Sequence, residues 1–539
     1  MNVKRLLIAL AAISLIVAPS AFAAHVVDGV DVKVTNDNNN VDGGPAAVTP
    51  SKDAQNRQAN ETTLAISPAN PNFVAVGAND YGMVPVTLDV WLGFYVSDDG
   101  GATWFNTMVP GFPSDTSGAG LASPLLGLDG SGDPVVRFDA AGNLYAAGIA
   151  FNRNFDQPDR PVDTVVYVAR YNYTPGTPGG TSTPNSAANP PNFTYAGTTV
   201  VDRGAVGFAV PGVIGFAGTF TDKEWMELDL NAPSASPCAG NIYVAHTNFH
   251  GAAGSSPIMF SRSSDGGATF SPPKTISSGG ASGTPYNQGA DIAVASNGTI
   301  YIAYGAFQGG GNRFNGIAIV KSTDCGKHWS QPVVVGSIND PQAPGVAFRT
   351  PAFAFLAVDN ANPNIVYLAY QNFVGSDYDI YVQRSTDGGA TWGAPLQVNS
   401  DPGARHQIFP TIEVSNGALH VAWYDFRNSV TPGNEALDVF YACTNCDGNT
   451  YPAFSHDERV TDVSHNGNCL LFGGGTAAFH GDYIELDARW NGANHIVHVA
   501  WADNRDITDV ATCTTAPFSF NNTGHRNQNI YADTLVVAP

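Results

Sequence analysis

Apolar residues along this chain fall in short runs rich in β-branched and aromatic side chains, and long helical stripes are absent. Gly298-Thr299-Ile300-Tyr301-Ile302-Ala303-Tyr304 and Asp379-Ile380-Tyr381-Val382-Gln383-Arg384 are representative. Such runs between Gly, Pro and Asn clusters predict short strands and tight turns. A strand pair joined by a short turn recurs at Thr63–Ala78, Val135–Gly148, Met226–Ala245, Ile292–Tyr304, Phe355–Tyr370, Ile412–Trp423 and Ile484–Trp501.

A second repeat lies between later strands. Ser97 to Trp104 reads SDDGGATW, Ser263 to Phe270 SSDGGATF, Ser322 to Trp329 STDCGKHW and Ser385 to Trp392 STDGGATW. Thr444 to Tyr451 is a worn copy with Cys446 where the Asp belongs. The form S-x-D-x-G-x-T-W suits a hairpin turn. Ser and Asp side chains bond nearby amides, and Gly admits positive φ. The second unit lacks this motif and carries a Pro/Gly/Ser/Thr-rich insertion from Tyr173 to Ala196.

Units repeating at this period predict an all-β chain, a β-propeller of seven four-stranded blades. Six blades is the alternative, if one unit is an excursion. The last unit has no room for a fourth strand, and Val32-Lys33-Val34-Thr35-Asn36-Asp37 is the segment expected to supply it and close the ring. Closure removes open sheet edges.

Composition narrows the partners. The 539 residues carry 24 Lys+Arg against 46 Asp+Glu, a formal charge of −22, and only seven are lysines. Such a chain repels phosphate backbones and cannot assemble a polybasic membrane patch. Lys4 and Arg5, the apolar run Leu6 to Val17 and the small-residue site Ala21-Phe22-Ala23 read as a signal peptide over 1–23. The propeller then spans 24–539 and is secreted or periplasmic. No later run is long and apolar enough for a spanning helix. Export favours pairing of the six cysteines. The irregular spacing of His456, His465 and His480 after Cys443-x-x-Cys446 predicts no metal site, and no EF-hand spacing is present. No cofactor is implied.

The hairpin motif resembles the Asp-box, or BNR repeat, of the sialidase superfamily. In that family the boxes lie opposite the active site, which implies structural roles for Asp99, Asp265, Asp324 and Asp387. On the other face, loops leading into the innermost strands supply Arg57, Asp133, Asp222, Lys223, Glu224, Arg349, Arg405, His406, His480 and Asp482. Loops after the second strands supply Asp80, Tyr81, Arg153, His250, Asp425, Arg427, Asp503, Arg505 and Asp506. Blade topology also suggests the cysteine pairs Cys469–Cys513, Cys443–Cys446 and Cys238–Cys325.

Sialidases seat a sugar carboxylate on arginines, whose guanidinium forks match it. They cleave with a Tyr–Glu nucleophile and an Asp acid/base. Phe348-Arg349-Thr350-Pro351 is similar to the family's F/Y-R-I-P signature, although it follows the third box and has Thr for Ile. The resemblance implies Arg349, Arg405, Arg427, Arg505 and Asp503 as substrate-binding residues and Glu224 and Asp425 as acid/base groups. The partner would be an extracellular glycan or glycoprotein. A non-catalytic propeller binding a protein or polysaccharide, with each Asp–Arg pair fixing a loop, is the competing reading. A third is a neutral-polysaccharide glycosidase that uses two carboxylates.

Overall fold

A computed structural model describes residues 26–35, 57–81, 90–152, 162–181, 186–206, 218–250, 255–277, 286–307, 314–429, 436–471, 477–507 and 527–539. The segment 1–23 expected to be a signal peptide, Arg153 and Cys513 lie outside these residues. The described chain is all-β apart from the single turn of helix Gly118–Leu121. No helix among the described residues is long and apolar enough to cross a membrane.

Within each unit the strands pair antiparallel with the next in sequence, as in a β-propeller, and Gln58 also pairs parallel with Gln528 of the last strand. Seven strands begin these units: β1 (Arg57–Ile66), β2 (Gly130–Phe138), β3 (Gly218–Leu228), β4 (Asn287–Val294), β5 (Ala354–Val358), β6 (Gln407–Ser415) and β7 (Glu485–Trp490). Each predicted strand pair is found, from Thr63 opposite Gly77 to Glu485 opposite Ala500. Val162–Tyr173 pairs antiparallel with Phe193–Val206, so the insertion expected from the sequence falls between the two strands of one long hairpin. β1 lies beside β2, each following strand lies beside the next, and β7 contacts β1. Apolar side chains fill the space between sheets. Ile302, Leu368 and Trp423 are fully buried there.

Apart from the first residues of β1 and β3, which pair with Asn527–Gln528 and with Ala205–Val206, an inner strand has no sheet partner on its axial side, so its backbone groups there need other partners. Side chains of the neighbouring inner strand provide them. Glu485 accepts from the Leu64 N–H at 2.6 Å and Asp487 from Ile66 at 2.8 Å. Thr63 accepts from Val136, Asp291 from Leu356 and Thr411 from Leu486. Polar residues at the axis are thus in part the stitching between sheets.

The N-terminal residues join the last sheet. Val32 and Lys33 pair with Ala532 and Tyr531, and Val26 and Val27 with Val537 and Val536. The equivalence to an outer strand is detailed. In the unit that begins with β6, Arg427 reaches Asp457, next to the outer strand Glu458–Arg459, at 2.7 Å. In the unit that begins with β7, Arg505 reaches Asp31, next to Val32–Lys33, at 2.6 Å.

The four good hairpin motifs share one geometry. Asp99 accepts from the Thr103 N–H and hydroxyl at 2.9 and 2.6 Å, while Ser97 Oγ accepts from Gly101. Asp265 and Asp387 repeat this. His328 Nδ1 stands in for Thr on Asp324 at 2.6 Å. These bonds hold the Asp265 carboxyl at about 2. In the worn copy Asn445 accepts from the Tyr451 N–H instead. Cys238 pairs with Cys325, linking neighbouring sheets, and Cys443 pairs with Cys446.

Candidate functional site

Five inner strands carry a register shift near their start, between Asn60 and Thr63, Gly132 and Val135, Asp222 and Trp225, Gln288 and Asp291, and Ile408 and Thr411. Within each shift one residue turns left-handed: Glu61 (φ 55°), Asp133 (55°), Lys223 (51°), Gly289 (68°) and Phe409 (53°). A bulge of this kind re-aims a side chain. Gly289 and Phe409 show that the bulge does not require charge. At three neighbouring positions it nevertheless carries Glu, Asp and Lys in a conformation costly for a residue with a Cβ.

These three residues meet. Lys223 Nζ lies 2.5 Å from Asp482, 3.0 Å from Glu61 and 3.4 Å from Asp133, with only 6% of its side chain exposed. Arg349 forks Asp482 with two bonds of 2.6 Å and rests its guanidinium on Phe479. Asn79 ties Glu61 to the Asp133 N–H. The Arg349 side chain is 56% exposed and presents the cluster to solvent.

Burial and charge set the protonation states. Burial pushes Glu61 well up, against Lys223. It raises Asp133 to about 6 and raises Asp222, again against Lys223. Asp482 is also buried, but Lys223 and Arg349 outweigh that and hold it below its ordinary value. Burial would lower Lys223, yet Asp133, Asp482 and Glu61 raise it well above the usual lysine value.

Beneath this layer, Glu224 and Tyr483 line a cavity of about 20 Å³, with Trp225 and Phe355 below them. That space suffices for one water. Neither Glu224 carboxylate oxygen nor the Tyr483 hydroxyl has a hydrogen-bond partner. Burial, then the Asp133 charge, raises Glu224 well above the usual carboxyl value, so it holds a proton.

The other sequence-derived residues are distributed around this cluster in separate arrangements. Asp425 accepts from Trp423 Nε1 at 2.9 Å and from the Arg427 N–H and guanidinium. Asp503 does the same with Trp501 and Arg505. Arg427 lies on Phe440 and Arg505 on Tyr531. Each W-x-D-x-R run is therefore a clamp joining the loop after a second strand to the outer strand of its sheet. Asp377 takes a backbone bond from Arg405. His406 accepts from the Tyr378 N–H, and its Nε2 faces the Pro344 carbonyl. His480 stacks on His465 and meets Asn504. Asp80 accepts from Tyr95, His250 meets Thr219, and Asp506 pairs with Lys33. Glu61 and Tyr483 were absent from the residues chosen by sequence. The bulge hides Glu61, because it breaks the two-residue period just where the side chain turns to the axis, whereas Tyr483 precedes β7, which has no register shift.

No family model matches the chain, and no curated protein matches it. Solved structures do show similarity. A Dyadobacter fermentans protein of unknown function aligns at 15% identity over 59% of this chain and 95% of that one, with a TM-score of 0.34. Trypanosoma rangeli sialidase in complex with 2,3-difluorosialic acid aligns at 12% identity over 77% of this chain and 59% of the sialidase, TM-score 0.40. The α-L-arabinofuranosidase Arb93A from Fusarium graminearum aligns at 11% over 95% and 98% of the two chains, TM-score 0.42. At such scores the fold assignment rests on the strand pairing itself.

Proposed function

We propose that the seven strand units close into a seven-bladed propeller and that the mouth around Lys223 binds and hydrolyses an extracellular glycan. Export through the N-terminal leader belongs to this reading. The observation that carries it is the convergence of three charged residues, each in a left-handed bulge, on one solvent-reaching cluster. Gly289 and Phe409 occupy the same bulge at the equivalent places, so the bulge belongs to the fold, and what supports a working site is that Glu61, Asp133 and Lys223 bring their charges together there.

The chemistry fits glycoside hydrolysis, which needs one protonated and one ionised carboxyl. Glu224 holds a proton, and Asp482 is the ionised group. Arg349 supplies the exposed cation for a sugar carboxylate or hydroxyl pair. The sialic-acid form of this proposal relies on Arg349, since Arg427 and Arg505 are engaged by aspartates of their own sheets and Asp425 and Asp503 serve those clamps. The tight cavity around Glu224 favours a second reading, in which the mouth binds a glycan without cleaving it.

A panel of fluorogenic aryl glycosides, including a sialoside and neutral sugars, tests both. Hydrolysis lost in Glu224→Gln but with glycan binding retained supports the enzyme. Glycan binding without turnover, abolished by Arg349→Ala, supports the binding module. A panel showing neither binding nor turnover overturns both readings.

A further inference from the structure

The N-terminal segment is held on the last sheet in two parts. The second part is firmly bound. The Val34 N–H donates to the Ile530 carbonyl at 2.8 Å, Thr35 Oγ1 donates to Asn529 at 2.8 Å, and Asn106 donates to the Val34 carbonyl at 3.0 Å. The first part rests on the pairing of Val26 and Val27 with Val537 and Val536. Between the two parts, residues 28–31 stand opposite 533–535, one residue more than the last strand has there. Val27 and Val30 face solvent, so apolar burial does little to fix this stretch.

Two carboxyls meet across it. Asp28, on the segment, lies in hydrogen-bond contact with Asp533 of the last strand. Asp533 is 2% exposed, and the Gly29 backbone passes so close that a Cβ there would overlap its Oδ1. That oxygen accepts from the Thr534 N–H at 2.5 Å, but neither Asp533 Oδ2 nor Asp28 Oδ1 has a donor. The surrounding charges do not supply one. Asp31, Asp462 and Glu458 are acidic neighbours of Asp28. Asp31 and Asp462 accept from each other's backbone N–H. Arg505 is engaged by Asp31 and Asp503 at 2.6 and 2.7 Å. Lys33 turns to Asp506, and His498 on the preceding strand turns to Thr534. Among the described residues, no three acidic, His or Cys side chains stand together as a metal site.

We infer that the first part of the N-terminal segment is a pH-sensitive latch: a proton shared between Asp28 and Asp533 holds residues 26–29 on the last sheet, and ionisation of both carboxyls releases them. Two carboxylates in contact repel, whereas a carboxyl facing a carboxylate supplies the missing donor. Burial lifts Asp28 to about 6 and Asp533 to about 8. With the segment released, both face water and return to the ordinary carboxyl range, so the closed form binds more protons than the open one. Opening therefore grows as pH rises toward about 8, by about tenfold per pH unit where the difference is one proton, and levels off above that. Residues 32–35 keep their bonds throughout. The latch does not depend on what the mouth binds.

Hydrogen exchange of the peptide covering 26–31, read by mass spectrometry and corrected for the intrinsic rate at each pH, tests this. From pH 6 to pH 8 its exchange should rise about tenfold or more, while the strand Val366–Val374 stays unchanged. Asp28→Asn and Asp533→Asn each offer an amide N–H to the remaining carboxylate without needing a proton. Each should keep the segment protected at pH 8 and flatten the response. Asp28→Ala, which offers no donor, should exchange fast at both pH values. Equal wild-type protection at pH 6 and pH 8, a wild-type pH response in both Asn variants, or protection at pH 6 that EDTA removes would each overturn the proposal.

Discussion

Replacing Lys223 with Met tests the central cluster most directly. Met keeps much of the stem and removes the charge that faces Asp482, Glu61 and Asp133 at 2.5, 3.0 and 3.4 Å. One such contact is worth about 5 kcal/mol of Coulomb attraction at an effective dielectric near 20. Desolvation of the charges offsets much of that in the wild-type protein. Leaving the carboxylates without their partner costs about 3–5 kcal/mol. The loss depends on pH. Burial lifts Asp133 from 3.8 to about 6, so the folded state keeps a proton that the unfolded chain sheds. Stability therefore falls as pH rises through that window. Without Lys223 the carboxyls hold protons to higher pH, and the decline continues upward. The expected loss is about 3–5 kcal/mol at pH 8 and clearly smaller at pH 5. Urea unfolding followed by tryptophan fluorescence at both pH values measures it, with exposed Lys327→Met as control. A loss under about 1 kcal/mol at pH 8, or the same loss at both pH values, would refute the reasoning.

Three further outcomes are expected. Gly481→Ala places a Cβ 2.3 Å from Glu61 Cγ at φ +83°, so it should cost about 2 kcal/mol or more and reduce any glycan binding at the mouth; normal melting and binding would contradict the close approach. Opening Cys238–Cys325, which closes 87 residues, by a double Ser substitution should destabilise by about 2–4 kcal/mol in denaturant titration. In a double-mutant cycle, Arg505→Met and Asp31→Asn should each cost about 2–4 kcal/mol and be strongly non-additive, since Asp31 is 2% exposed and 2.6 Å away; additive losses would separate the N-terminal strand from the Arg505 clamp.

The strand pairs and hairpin turns were legible because their physics is local. A period of two, Gly at positive φ and Ser/Asp side chains bonding amides within four residues need no knowledge of distant chain. The repeated W-x-D-x-R clamp is local as well, and it reads the same at Asp425 and Asp503. The partner cations and anions are another matter. Lys223 and Asp482 are 259 positions apart, Glu61 and Arg349 are 288 apart, and only the arrangement of sheets brings them together. Bulges decide which of those side chains face the axis, and a one-residue shift reverses the side of every residue after it. Sequence therefore determined the repeating unit and its turns, whose energies come from near neighbours. The tertiary structure alone decided which charges share a low-dielectric mouth, because burial and Coulomb energy depend on distance in space, not along the chain.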